Sequence, residues 1–434
     1  MENPLKELTK TACFSATGSD PVVLKACMKY AKDQKAYFIC EATVNQVNQF
    51  GGYTGMRPMD YADLVSGFAE EIGFPKEKVI LSGDHLGPFV WQDLAAEEAM
   101  ARSEELVRQY VAAGFRKIHL DPTMPLKGDS SETFGDELIA ERAAHLAEAA
   151  EKTYEETKQD TVWTFRPVYV IGSEVPVPGG TEEKEVMRVT APQALEQTIL
   201  CFKHAFLNHG LEKVWEDTVA VVAQIGLEFS EDNVYDFNHE AAKPLAECLK
   251  KHAPLVFESH SSDYQTPLCL RQMVAAGVGI LKVGPELTFA HREALFALAM
   301  IEEELKDVWG FAPSHFREVL EETMMEAKPD YWSRYYHGSP QELRLKRKYS
   351  YSDRSRYYFS QTAVKKARAR LIRNLSGRPI PPYLLSQFLP VQYELIREGR
   401  LTPEPEALIE HKIQCVMDRY YQNMLRGAGE RPGR

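Results

Sequence analysis

The side chains able to do chemistry in this sequence are a few histidines and a larger set of acids. Asp84 and His85 adjoin in SGDHLGP, and His260 stands far downstream in ESHSSDYQT. With Glu228 of IGLEF, the two histidines give an N, N, O set suited to one divalent Zn²⁺, Mn²⁺, Co²⁺ or Ni²⁺ ion. Three protein ligands leave coordination positions for substrate oxygens. Taken singly, each histidine reads equally well as a satisfied core or capping imidazole, and their joint placement favours the metal. His119 is the close competitor. Beside such an ion Asp84 has two available roles, shuttling a proton from a substrate hydroxyl or carbon, or holding a histidine in place. Asp121 faces the same pair of roles, with a helix N-cap as its plainer alternative. Glu174 joins Asp84 and Asp121 as the third acid expected to take part in catalysis.

Around these lie groups suited to reading a polyhydroxylated ligand. Glu41 opens EATVNQVNQ, where Asn45 and Gln46 offer paired donors and acceptors to sugar hydroxyls. Solvated loop amides are the bland reading of the same run. Gln224, Asp263 and Lys282 are further expected substrate contacts. Lys282 can instead pair with Glu258 or Glu286. Two glycine-bearing loops, FGGYTGM from Phe50 and SEVPVPGG from Ser173, carry no nucleotide fingerprint and read as tight turns.

Such residues need a scaffold that brings distant segments together. Up to about Leu305 the chain alternates short β-rich runs with amphipathic stretches. Eight strands are expected: Thr11 to Ala16, Ala36 to Ala42, Val79 to Gly83, Lys117 to Leu120, Val162 to Ile171, Thr218 to Leu227, Leu255 to Ser259 and Gly279 to Val283. Asp20, Thr190 and Thr266 each stand just ahead of a proline and are expected to cap the helices that follow. Eight βα units favour a (β/α)8 TIM barrel over an open doubly wound sheet, because neither GxGxxG nor GxxxxGK[ST] follows a strand. In a barrel the carboxyl ends of the strands line the site. The second strand ends at Glu41, the third at Asp84 and His85, the fourth at Asp121, and the sixth is expected to end at Glu228. For Asp84 and His85 both to face the mouth, the third strand must break, and Gly83, Gly87 and Pro88 supply the break.

From Phe311 no β-rich run recurs, and helical patterns follow at Gln361 to Leu375, Pro382 to Arg397 and Pro405 to Arg426. The expected division is a barrel over residues 1–310 and an all-α C-terminal appendage over 311–434, packed on the barrel or on a neighbouring subunit. A homo-oligomer is the expected assembly.

With 434 residues, 44% of them hydrophobic and 26% charged, the chain has ample material for a core. A net charge of −12 argues against a nucleic-acid surface, despite a basic stretch from Arg344 to Arg373. Seven scattered cysteines without a CxxC read as reduced, buried residues. The polar N-terminus and the lack of a long apolar run point to a cytoplasmic protein away from membranes.

The motifs EATVNQVNQFGGYTGM, SGDHLGP, IGSEVPVPGG, GLEF, ESHSSDYQT, LKVGPELTFA, SDRSRYYF and LLSQFLPVQY resemble the large subunit of class II tagatose-bisphosphate aldolase over nearly the whole chain. More distantly, Asp84–His85, Asp121 and His260 are similar to positions of catalytic class II aldolases, whose DH aspartate moves protons while its histidine neighbour binds metal. Those enzymes use a third histidine where this chain has Glu228, and a glycine-serine phosphate loop where His260 is followed by SSDYQ. The resemblance implies a divalent-metal site and a ketohexose or ketohexose phosphate as substrate. Interconversion of tagatose and fructose at C4 by retro-aldol and aldol steps is the leading expectation. The alternative is a non-catalytic large subunit that stabilises a separate small aldolase subunit.

Overall fold

The computed structural model describes residues 2–130, 134–174 and 188–429. Among the described residues there are ten strands: β1 (Cys13–Thr17), β2 (Phe38–Thr43), β3 (Val79–Leu86), β4 (Lys117–Leu120), β5 (Val168–Gly172), β6 (Thr218–Val222), β7 (Glu228–Phe229), β8 (Val234–Tyr235), β9 (Val256–Ser259) and β10 (Val278–Val283). Eight of them close into a parallel barrel in the order β1-β10-β9-β6-β5-β4-β3-β2, so the protein is a (β/α)8 barrel with further helices at its C-terminus. Helices such as Pro21–Asp33, Pro58–Ile72 and Ala96–Ala112 cover the sheet, turning buried Val, Leu and Ala residues inward. Among the described residues, no helix is long and apolar enough to cross a membrane.

Several expected boundaries move. The sixth strand stops at Val222, and Glu228 lies instead on β7, which pairs antiparallel with β8 outside the barrel. The chain leaves the sheet because the Gln224 side chain accepts from the N–H groups of Gly226 and Leu227, and Gly226 adopts φ +91°. The fifth strand starts after Pro167, whose ring nitrogen has no hydrogen to give the ladder. Asp20 and Thr266 cap their helices as expected. Thr190 does not; the N-cap is Ala191, and the Thr190 hydroxyl donates to Glu174. Pro390 splits the expected helix from Pro382 into Pro382–Phe388 and Pro390–Arg397.

The third strand breaks by a different device from the one its glycines suggest. Between Gly83 and Leu86 the β3–β4 register shifts, two residues of β3 being accommodated against one of β4. His85 carries the distortion at φ +50°. In this bulge Asp84 keeps the inward parity of Ser82, and His85 turns back toward the mouth instead of outward.

The segment after Phe311 is clasped to the barrel. Asp353 takes Thr288 Oγ1 at 2.6 Å and Arg292 Nε at 2.7 Å, with both charged groups buried. The terminal helix Pro405–Gly429 packs on the helices Pro21–Asp33, Pro267–Ala275 and Pro285–Trp309. Its Tyr420 hydroxyl donates to Ser262 O at 2.6 Å and Glu286 Oε2 at 2.8 Å, beneath the loop that follows β9. Removing one member of a buried ion pair strands the other. Asp353→Ala is therefore expected to cost about 3–5 kcal/mol, read from urea unfolding, while Asp353→Asn costs less. A loss below about 1 kcal/mol for the alanine variant would show that the clasp is peripheral to stability.

Candidate functional site

Inward-facing side chains alternate along each strand, so the barrel interior is built in layers. The lower polar layer centres on Lys117 of β4, fully buried, with Glu41 Oε2 and Glu258 Oε2 each 2.6 Å from its Nζ. Glu41 also accepts from Ser82 at 2.6 Å and Thr17 at 2.9 Å. Burial pushes the Glu41 carboxyl up, but Lys117 and Lys282 outweigh it and hold the group below the usual carboxylate range. The same two carboxylates raise Lys117 against the opposing effect of burial, so this lysine stays charged in the barrel centre.

One step nearer the mouth lie Asp84, His119, His260 and Lys282. His119 Nδ1 is 2.8 Å from Asp84 Oδ1, and Lys282 pairs with Asp84 Oδ2. Lys282 Nζ is also 3.0 Å from His260 Nε2, 3.5 Å from Glu41 and 3.9 Å from Glu258. Burial opposes ionisation of Asp84, yet His85, Lys282 and His119 hold its pKa well below the ordinary value. Burial, and then Lys282, push His260 well below 6.5, which leaves a neutral imidazole, the form that ligates metal.

His85, His119 and His260 gather their rings within 5.0–5.3 Å of one another. The expected pair His85 and His260 therefore does meet above the barrel. His85 turns Nδ1 to Asp121 Oδ2 at 2.6 Å, with Nε2 3.4 Å from Asp84. That contact drives Asp121 far below its usual pKa despite burial, and Asp121 also accepts from the Thr123 N–H.

One ligand atom from each of Asp84, His119, Glu258 and His260 lies within 4.8 Å of every other. His119 Nε2 is buried and has no hydrogen-bond partner, an arrangement that costs free energy unless something accepts the lone pair or proton. Two imidazoles and two carboxylates are a donor set for a divalent transition ion, and the residues fit one. His119 and Glu258 could have been found by parity. Lys117, His119 and Asp121 share one face of β4, and Glu258 and His260 are likewise two apart.

The other expected residues are spread more widely. Glu228 is buried but outside this group, accepting from its own neighbour Phe229 N at 3.0 Å. Burial, only partly offset by hydrogen bonds from Ser261 and Phe229, raises its carboxyl to about 7. Asp263, also raised by burial to about 7, accepts from the N–H groups of Gly284 and Glu286 at 2.9 Å and so braces the start of Pro285–Trp309. Gln224 braces its own loop, as described above. Gln46 accepts from Thr43 N, and with Asn45 it lines a cavity beside β1 and β2. Glu174 is exposed beside Thr190, and the SEVPVPGG loop from Val175 onward lies outside the described residues.

The model of the family described as D-tagatose-1,6-bisphosphate aldolase subunit GatZ/KbaZ-like matches residues 3–424. A crystal structure of a probable tagatose 6 phosphate kinase from Sinorhizobium meliloti 1021 is 40% identical, with 95% of this chain and 100% of that chain covered and a TM-score of 0.86. The YdjI aldolase from Escherichia coli K12 aligns at 11% identity over 84% of this chain and 94% of its own, with a TM-score of 0.40. A fructose-bisphosphate aldolase from Campylobacter jejuni aligns at 14% identity over 86% and 91%, with a TM-score of 0.42.

The expected ligand set and the geometric one share only His260, so metal content separates them. His119→Ala and His260→Ala are expected to leave well under one equivalent of bound Zn²⁺ or Mn²⁺ by elemental analysis after dialysis, whereas Glu228→Gln retains it. Loss in Glu228→Gln with retention in His119→Ala would restore the set His85, Glu228 and His260.

Proposed function

The chain belongs to the D-tagatose-1,6-bisphosphate aldolase subunit GatZ/KbaZ-like family, and from that membership we propose that it makes and breaks the C3–C4 bond of a ketohexose. The net reaction is inversion at C4, interconverting tagatose and fructose configurations. The observation that carries this reading is the buried group of Asp84, His119, Glu258 and His260, closed by Lys282 at the carboxyl ends of the strands.

A divalent ion held by His119, Glu258 and His260 would supply Lewis acidity for the C2 carbonyl, leaving Asp84 to move a proton. The chain's own residues do the remainder. Asp84, kept ionised by its neighbours, accepts the proton of the C4 hydroxyl. The C3–C4 electron pair moves toward the C2 carbonyl, giving an enediolate and an aldehyde. Lys282, held at the same level by its ion pair with Asp84, stabilises the developing negative charge. Rotation of the aldehyde presents its other face, and re-addition returns the proton to the oxygen at C4 with inverted configuration. Asp121 acts through His85, fixing that ring over the site. Direct removal of hydrogen from C4 is disfavoured, because no neighbouring carbonyl acidifies that C–H bond.

A kinase role, which the name of the Sinorhizobium protein suggests, would require a nucleotide seat; the sequence has no GxxxxGK[ST]. The family's description as a subunit supports a second reading, in which the chain stabilises a separate small aldolase.

Incubation of the purified chain with fructose and Mn²⁺, Co²⁺, Ni²⁺ or Zn²⁺ in D₂O, followed by NMR, tests the proposal. Tagatose lacking deuterium at C4 is the expected product, and Asp84→Asn should lower turnover by about 10²-fold or more, the usual scale of a general base. Deuterium at C4 would reject the retro-aldol route. Absence of turnover with all four metals, together with activation of an added small aldolase subunit, would establish the accessory role instead.

A further inference from the structure

The helices Asp136–Thr157 and Pro192–Asn208 pack side by side on the outside of the barrel, and a second gathering of histidines and acids forms between them. Glu141, His145 and Glu148 follow one another at helical spacing, so they share one face of the first helix. His209 is the residue that ends the second helix. Its Nε2 is 2.9 Å from Glu141 Oε1 and its Nδ1 is 2.8 Å from Glu148 Oε1. His145 faces the same two acids, with Nε2 3.7 Å from Glu141 Oε1 and Nδ1 3.5 Å from Glu148 Oε2. The two rings stand 5.0 Å apart and nearly perpendicular, at 84°. One ligand atom from each of Glu141, His145 and His209 lies within 4.8 Å of the others.

We propose that this group is a second divalent-metal site, taking Zn²⁺ or a similar transition ion on His145, His209 and Glu141, with Glu148 at its edge. The inference is independent of the ketohexose reading and uses no residue of the barrel interior. Surface acids alone would carry no such meaning, but here two imidazoles converge on the same oxygens. A neutral imidazole has a single N–H, so it donates to one carboxylate and meets the other with a lone pair. His209 is in this position, with a carboxylate oxygen 2.8 and 2.9 Å from its two ring nitrogens. A cation among these groups turns the opposed lone pair into a ligand bond and answers two negative charges at once. Imidazole nitrogen with carboxylate oxygen suits Zn²⁺, whereas Mg²⁺ and Ca²⁺ favour sites made of oxygen. The His209 side chain is 17% exposed and anchors the site, while those of His145, Glu141 and Glu148 are 48%, 50% and 45% exposed and leave coordination positions open to water. The ion acts as a staple. Thr198 already joins the two helices near their starts, its hydroxyl donating to Asp136 Oδ2 at 3.0 Å. The metal fastens them again further along, and only in the folded protein, because its ligands come from separate helices with β5 between them in the chain.

Zinc titration calorimetry on the full chain, freed of metal with EDTA, tests the site. To keep the barrel group out of the count, the titration is run on His119→Ala/His260→Ala as well as on the parent chain. In that background one equivalent of Zn²⁺ is expected to bind with a Kd of about 10 µM or tighter and to raise the thermal midpoint. Adding His145→Ala/His209→Ala should abolish both effects, and adding Glu141→Gln should weaken binding about tenfold or more. If the barrel variant fails to fold by circular dichroism, the same comparison is read in the parent chain as the loss of one equivalent. Undiminished zinc in the outer-site variants, or equal displacement of the ion by millimolar Mg²⁺, would overturn the proposal and leave the group as ion pairs between two helices. The two metal readings fail separately: identical stoichiometry in the parent and in His119→Ala/His260→Ala would remove the barrel ion while supporting the outer one.

Discussion

A lysine buried at the centre of a β-barrel is tolerated only if its charge is met, and Lys117 is met twice, by Glu41 and Glu258 at 2.6 Å. This bridge ties β2, β4 and β9 through the barrel axis and fixes the height at which each presents its next inward residue. From β4 that residue is His119, from β9 it is His260, and the bulge in β3 supplies Asp84 at the same level. Lys282 of β10 then spans Glu41 below and Asp84 above. The arrangement of the candidate site thus follows from one electrostatic constraint propagated by the period of two along the strands.

The distortion at His85 is the second device. Two adjacent residues of a regular strand cannot face one cavity, and here a left-handed residue inside a one-residue bulge lets them. Asp121 secures the turned ring from β4, and Gly87 lies so near the Asp121 carbonyl that a Cβ would come within 2.0 Å of its oxygen. The glycine is needed for this approach of the two loops, and its extended φ of 178° shows that conformational freedom is not the reason.

Much of this was legible in the sequence. The alternation of strands and helices gave the barrel, and Asp84, His85 and His260 stood out as a histidine–acid cluster at strand ends. The sixth strand was drawn too long because TVAVVAQIGLEF is apolar through the point where the Gln224 side chain turns the chain, a local side-chain contact that hydropathy does not register. His119 stands in the sequence only as a close competitor of His85 and His260, because it lies inside its strand, although in a small barrel the interior includes the floor of the site. Arg356 and Arg368 were read as part of a basic tail, because nothing in their spacing indicates that the chain returns over the barrel mouth. That return depends on Asp353, Arg292 and Tyr420, whose contacts span 61 to 158 residues of sequence.

Stability alone gives no account of such an interior. Buried ion networks are on average no more stabilising than well-packed apolar residues of similar volume, and leaving one member unmatched is costly. The lower layer of Glu41, Lys117 and Glu258 could be understood as a register device, since it is fully enclosed and its partners answer one another. The layer above it cannot. His119 Nε2 is buried without a partner, Lys282 is shared among an imidazole and three carboxylates, and His260 is held neutral beside them. Apolar side chains would relieve these groups, as Val170, Ala220 and Val222 of β5 and β6 do between β4 and β9. Polar groups left incompletely satisfied and facing the carboxyl ends of the strands would be accounted for by a ligand that completes them.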